Sequence, residues 1–599
     1  MLKVFDDVQP VTDPVPAQPD LIDNSLDSLV ETVDHAVDAA LARFTGGISL
    51  SAVAEAYMDW ILHLGLSPGK RMQLVGKAMR KSLLFANHTL QSSHAQDDVL
   101  PCIEPLPGDS RFADPAWQRW PYNLIYQAFL LNQQWWHNAT TGIAGVAPSH
   151  ERFVEFGARQ WLDVFSPANN LLTNPVAMQR CVATGGASLI EGLYNFADDA
   201  ARQLRGGQHE STDGLVVGRD LATAPGKVVF RNQLIELIQY APTTENVRPE
   251  PVLIVPAWIM KYYVLDLSPR NSMVRHLTSQ GFTVFMMSWH NPGAEDRDFS
   301  MEDYRQSGIM AALNAIGTVL PGAAVHAAGY CIGGTLLSIA AAAMARDGDR
   351  RLKSVTLLAA QVDFSEAGEL MLFINAKQIQ LLEDMMQQQG YLDSAQMGGA
   401  FQMLRSKDLV WSRMVHDYLM GQRDKMSDLM AWNADGTRLP YHMHSQYLRE
   451  LLLENRLSRG LYLVENRPIA LADISVPIFA VGTEKDHVAP WRSVYKIHRL
   501  SGTEVTFVLT NGGHNAGIVS EPGHPHRHYR ISTRAKANGH DDPDTWRAAA
   551  SEVEGSWWEA WTAWLGRHSG EFVKPPEMGA PERGFPPICD APGTYVFEA

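Results

Sequence analysis

Cysteine is scarce in this chain: Cys102, Cys181, Cys331 and Cys589 are the four in 599 residues. Thiols so few and scattered argue against a disulfide framework or a cysteine-ligated zinc site and fit a reducing compartment. Charge is sparse too, at 19% of residues, and it leans acidic: 50 Lys and Arg against 66 Asp and Glu leave a formal net charge of −16. Such a surface is ill suited to neutralising phosphates, so nucleic-acid binding is not expected, and an anionic substrate needs a local basic pocket. Long hydrophobic runs are missing. The nearest approach, residues 325–345, holds no Asp, Glu, Lys or Arg and one histidine, His326, but Gly329, Gly333 and Gly334 interrupt its centre. It reads as a buried strand, a tight turn and a buried helix, and no transmembrane segment is expected. The start, MLKVFDDVQP, has neither the basic residues nor the apolar stretch of a secretory signal, which predicts a cytoplasmic protein.

What is present is the composition of a globular protein, 45% apolar with 46 Gly and 34 Pro spread throughout. The length suits about four ordinary domains or two large ones. Residues 1–20 carry Pro10, Pro14, Pro16 and Pro19 with little to bury, as a flexible tail would. Over 25–44 apolar residues recur every three or four positions, which predicts an amphipathic helix, and helical patterns continue to about 205. Residues 21–225 are therefore expected to form a helical N-terminal domain. The texture then changes. KVVFRN and LIELIQYAP predict a strand pair, followed by short apolar runs (VLIVPAW, FTVFMMSW, AVHAAGYC, SVTLLAAQ, VPIFAVGT, VTFVLTN) alternating with helical stretches. That is the rhythm of a mostly parallel α/β sheet over 226–599. A Met-rich helical stretch at about 365–455 interrupts it and is expected to form a cap.

The chemistry is concentrated at three strand ends. GYCIGG at 329 is a G-x-C-x-G between strand-like AVHAA and helix-like TLLSIAAAAMA, the context of a nucleophile elbow with Cys331 at its tip and a helix N-terminus beside the thiol. Downstream come Asp486, just past VPIFAVGT, and His514, in a Gly-flanked loop after VTFVLTN. The spacings are 155 and 28 residues, and nucleophile, acid, histidine is the chain order of α/β-hydrolases. His487 is a candidate to line the site or to face solvent. The histidines at 524, 526 and 528 lack a nearby acidic or cysteine partner, so no metal is expected. Trp557, Trp558, Trp561 and Trp564 fall at helical spacing and are expected to pack on the core.

These residues, with RFADPAW at 111, KYYVLDLSPRNS at 261, SWHNP at 288, DLMAWNADGTRLP at 428, GTEKDHVAPW at 482, NGGHNAG at 511, GSWWEAW at 555 and APGTYVF at 591, resemble the polyhydroxyalkanoate synthases of the single-subunit, class I type, over nearly the whole chain. Two positions depart from the family: Trp120-Pro121, where Asn-Pro is common, and His290, where Arg is common. The resemblance implies an α/β-hydrolase fold with a helical cap. It also implies Cys331 as acyl-carrying nucleophile, His514 as general base and Asp486 as its partner, with an oxyanion hole from the backbone N–H of Ile332 and one near Ile259. Arg405 resembles a position near the coenzyme A path. The expected substrate is a short-chain (R)-3-hydroxyacyl-CoA, polymerised into polyester with coenzyme A as a product and no cofactor. A homodimer at the surface of cytoplasmic polyester granules is implied as well.

The residues alone leave the acceptor open. A free thiol, with pKa near 8.5, is only a few per cent thiolate at pH 7, so Cys331 needs a base and the helix N-terminus. The acyl-enzyme thioester then stays reactive toward alcohol or water. The first acceptor makes a polyester synthase, the second an acyl-CoA thioesterase or a polyester depolymerase. Excluding water is what a cap would supply.

Overall fold

The computed structural model describes residues 45, 47–94, 100–106, 108–204, 214–404, 406–535 and 541–599. The expected tail at 1–20, the amphipathic helix at 25–44 and Arg405 lie outside them. The described residues between Leu50 and Leu204 form helices and their connections, as the pattern predicts: Leu50–Gly65, Pro68–His94, Tyr122–Thr140, Pro148–Val164, Pro175–Ala183 and Ala187–Leu204. Local signals start them: Ser49 accepts a hydrogen bond from the Ala52 N–H, and Asn174 accepts from the N–H groups of Val176 and Ala177. RFADPAW builds a small core here, with Phe112 and Trp117 packed on Tyr126 and Leu130. Arg111 ties it off, 2.7 Å from both Asp109 and Asp163.

The remainder is organised by one 11-stranded sheet. Its strands are β1 (Gly226–Arg231), β2 (Ile235–Tyr240), β3 (Val252–Val255), β4 (Val284–Trp289), β5 (Val325–Tyr330), β6 (Leu352–Leu358), β7 (Ile478–Thr483), β8 (Val505–Thr510), β9 (His528–Arg534), β10 (Ser551–Glu554) and β11 (Cys589–Asp590), in the order β10-β9-β8-β7-β6-β5-β3-β4-β2-β1-β11. KVVFRN and LIELIQYAP form the antiparallel pair β1–β2. Neighbours from β4 through β3, β5, β6 and β7 to β8 are parallel. Helices cover both faces of a parallel sheet, which is why β3, β4, β5, β7 and β8 are buried at every position and read as unbroken apolar runs.

Register decides where the chemistry collects. Tyr330 pairs with Leu358, Leu358 with Val481, and Thr483 with Thr510, so β5, β6, β7 and β8 end level with one another. The residues that follow them share one edge of the sheet. Between β6 and β7 the chain leaves the sheet for a run of helices, from Gly368–Phe373 and Ala376–Gln389 to Tyr441–Gln446 and a wide π-turn at Tyr447–Leu453. Met385, Met386 and Met443 are buried within it. Among the described residues no helix is long and apolar enough to cross a membrane; the 325–345 run is β5, the turn at Cys331 and most of the helix Ile332–Arg346.

Candidate active site

Cys331 occupies the turn between β5 and the helix Ile332–Arg346 with φ 53° and ψ −128°, a conformation that strains any residue with a side chain. The turn is held by backbone packed on backbone. A methyl group on Gly329 would collide with the backbone of Gly334, and one on Gly333 with the carbonyl oxygens of Val255 and Pro256. Those contacts require the glycines that flank the cysteine. The Cys331 N–H donates to the Leu358 carbonyl at 2.9 Å, which leaves the thiol beyond the sheet edge at the start of a 15-residue helix.

Asp486 and His514 meet there. His514 Nδ1 lies 2.8 Å from Asp486 Oδ2. The carboxylate accepts three further hydrogen bonds, from the Thr483 hydroxyl at 2.8 Å and from the N–H groups of Val488 and Ala489 at 2.9 and 2.8 Å. Burial works to raise the Asp486 pKa, but the His514 charge and these donors hold it below the ordinary carboxylate value. Burial likewise opposes a charged His514, yet Asp486 and then Cys331, which interacts with the same ring, push its pKa up to about 10. The imidazole leans on the Tyr330 ring, centroids 5.5 Å apart, and the Tyr330 hydroxyl donates to Asn515 at 2.5 Å. Behind it the C-terminal tryptophans do more than fill space. Trp557 and Trp558 donate to the carbonyls of Gly517 and Ile518 at 3.0 and 2.9 Å, and Trp561 donates to Thr356 on β6 at 3.0 Å.

In front of Cys331 is a cavity of about 370 Å³, largely apolar, walled by the elbow on one side and the cap on the other. Ile332 and Ile259 both line it beside Cys331. As first residue of its helix, Ile332 has an N–H without an intrahelical acceptor. The 258–261 loop is braced by two distant motifs. From DLMAWNADGTRLP, Thr437 donates from its N–H to Ile259 O at 3.0 Å and from its hydroxyl to Trp258 O, while Trp432 donates to Lys261 O at 2.7 Å. From the chain end, the carbonyls of Tyr595 and Glu598 accept from Lys261 Nζ. His290 joins this brace, 2.8 Å from the Glu598 carboxylate and 3.1 Å from that of Asp296. His487, half-buried beside Asp486, does not line the cavity, whereas its neighbours Val488 and Ala489 do. Among the described residues no cluster of His, Cys, Asp or Glu is arranged to hold a metal ion.

Two contributors escape sequence reasoning. Thr45, Gly47 and Ile48, which precede the first described helix, line the cavity. Gln378 of the cap pins them, accepting from the Ser49 N–H at 2.9 Å and donating to the Gly47 carbonyl. His444, in MHSQYLR, also lines the cavity, one helical turn before Tyr447. A three-residue spacing of two rings on a cap helix is the one sequence signal it leaves.

Comparison with known proteins identifies the family. Family profiles described as poly-beta-hydroxybutyrate polymerase N terminal and poly-beta-hydroxybutyrate polymerase (PhaC) N-terminus match residues 28–70 and 108–277, and the alpha/beta hydrolase fold profile matches 250–521. A poly(3-hydroxyalkanoate) polymerase from Methylorubrum extorquens is 42% identical over 83% of this chain and 82% of its own length. The poly(3-hydroxyalkanoate) polymerase subunit PhaC of Rhizobium etli is 38% identical over 83% and 78%, and that of Cupriavidus necator 36% identical over 82% and 83%. Identity at this level across more than two thirds of both chains, with an α/β-hydrolase sheet beneath, means that the chain belongs to the poly(3-hydroxyalkanoate) polymerase family.

Proposed function

We propose that this protein is a polyester synthase of the class I type that polymerises short-chain (R)-3-hydroxyacyl-CoA, with Cys331, His514 and Asp486 as its working triad. The observation that carries the reading, within a family of polymerases, is that Cys331 opens into a largely apolar, capped cavity. In the first half-reaction His514, its pKa raised to about 10, holds the thiol proton, and the sulfur attacks the thioester carbonyl as a thiolate. The N–H groups of Ile332 and Ile259 face the developing oxyanion. Collapse breaks the bond to the CoA sulfur, and His514 returns the proton to it. In the second half-reaction the 3-hydroxyl of another hydroxyacyl group gives its proton to His514 and attacks the acyl carbonyl on Cys331. An ester forms, and the released cysteine sulfur recovers the proton. Asp486 holds the imidazole orientation and stabilises its charged form throughout.

Exchange of one thioester for another keeps the acyl group reactive, so the fate of the intermediate depends on which nucleophile reaches it. An apolar enclosure disfavours water. A place for Arg405 near the coenzyme A path, substrate binding by His487 from outside the cavity, dimerisation through the Met-rich cap, and residence at the surface of cytoplasmic polyester granules belong to the same proposal, as does the division into a 21–225 helical domain and a 226–599 catalytic domain. The test is incubation of the purified protein with 3-hydroxybutyryl-CoA. Free CoA with chloroform-soluble polyester is expected; stoichiometric free 3-hydroxybutyrate without polymer would make it a thioesterase.

A further inference from the structure

His444 is 4% exposed, yet it borders the catalytic cavity. Its ring stacks on Tyr447, centroids 6.1 Å apart at 26°, and among the described residues neither imidazole nitrogen has a hydrogen-bond partner. Unpartnered polar atoms in a buried position are costly, and they call for a ligand. Several other polar groups around the cavity are committed to the protein: Thr335 donates to Gln361 O, Gln361 to Val488 O, and Gln378 holds the N-terminal segment, whereas Tyr447, with its hydroxyl, lines the cavity beside His444. The Tyr447 beneath His444 is close enough to Cys331 for the sulfur's charge to add to the effect of burial in raising its pKa. Cys331, His444 and Tyr447 thus border the same cavity, within reach of an acyl group on the sulfur. Burial lowers the His444 pKa to about 4, so the ring is neutral at pH 7, with one nitrogen a donor and the other an acceptor.

An acyl chain on Cys331 is apolar except at two places. With its carbonyl in the oxyanion site proposed above, its other polar group is the 3-hydroxyl, on the third carbon from the sulfur and within the capped cavity. We propose that His444 is the substrate-binding residue for that 3-hydroxyl, selecting hydroxyacyl over plain acyl thioesters; this rests on the polyester-synthase reading above. A hydroxyl in an apolar chamber needs a partner able to accept its proton or donate to its oxygen, and neutral imidazole does either.

The test compares 3-hydroxybutyryl-CoA with butyryl-CoA, which differs by the single hydroxyl, in the CoA burst that reports acylation of Cys331. In His444→Leu the acylation efficiency is expected to fall about 10-fold with 3-hydroxybutyryl-CoA, the worth of one buried hydrogen bond, and less than about twofold with butyryl-CoA. His444→Gln, which keeps a donor and an acceptor, should recover part of the loss. The butyryl-CoA burst also reports whether each variant is folded. Equal losses with both thioesters, or no loss with either, overturn the assignment. A wild-type protein that gives a normal burst but only free 3-hydroxybutyrate refutes the polymerase reading while leaving the role of His444 to stand or fall on the same ratio.

Discussion

The indole N–H of Trp557 donates to the carbonyl oxygen of Gly517 at 3.0 Å, and Gly517 closes the turn that carries His514 by donating its own N–H to Gly513 at 2.8 Å. The catalytic histidine proposed here is thus positioned by a helix remote from the cavity. Trp557→Phe keeps most of the packing but leaves a buried carbonyl unpaired, a cost of about 1–3 kcal/mol. Thermal unfolding should show that loss, and CoA release should slow with KM little changed. An unaltered rate would detach the tryptophan helix from the chemistry.

Cys331 stands at φ 53° because the elbow demands it. Cys331→Ala should abolish CoA release, and Cys331→Ser should lose most of it because a hydroxyl is a far weaker acid. Cys331→Gly should be inactive yet unfold at a higher temperature, since glycine relieves about 1–3 kcal/mol of strain while its greater unfolded-state freedom takes back about 0.4–1 kcal/mol. Differential scanning calorimetry decides the point, and a less stable Gly variant would contradict it.

The pairing of His514 with Asp486 sets a pH window for stability. The histidine pKa is raised from 6.5 to about 10, so its contribution is complete below pH 6.5 and is lost as pH rises toward 10. The Asp486 pKa is lowered, so its contribution is present above 3.8 and disappears as pH falls through the depressed value. The stability difference between wild type and His514→Gln, followed by denaturant titration, should be level between about pH 5 and 6 and shrink on the alkaline side. A difference growing with pH would reverse the assignment of charge.

Gln378 makes both hydrogen bonds that hold Gly47 and Ser49 against the cap. Gln378→Ala should loosen one wall of the chamber without touching the triad. The expected result is a shift in partition, with more free 3-hydroxybutyrate per CoA released and less polyester, measured by chromatography of the same reaction. An unchanged ratio would show that this wall does not keep water out.

Much of the architecture was legible because it is written locally. Strands buried on both faces appear as continuous apolar runs, and Cys331, Asp486 and His514 each follow such a run, so chain order alone suggests that they converge. Other features are written at a distance. Nothing near Gly47 in sequence points to Gln378, and nothing near Ile259 to Thr437 or Glu598, because these pairings exist only once the cap and chain end have folded back. The tryptophans at 557–564 have the right period for a core helix, but periodicity is blind to where indole N–H groups point. His444 is hard to find for a related reason: its spacing to Tyr447 marks a shared helix face but not the chamber that face will border.

The dependence of the His514 turn on Trp557 and Trp558 also has a meaning in time. Translation delivers the nucleophile, the acid and the base well before it delivers the two indoles. A ribosome-bound chain that stops short of them carries a thiol at a strained turn and a histidine on an unbraced loop. Incomplete chains are therefore expected to leave acyl-CoA untouched, and catalytic competence arrives late in synthesis, when the tryptophan helix docks.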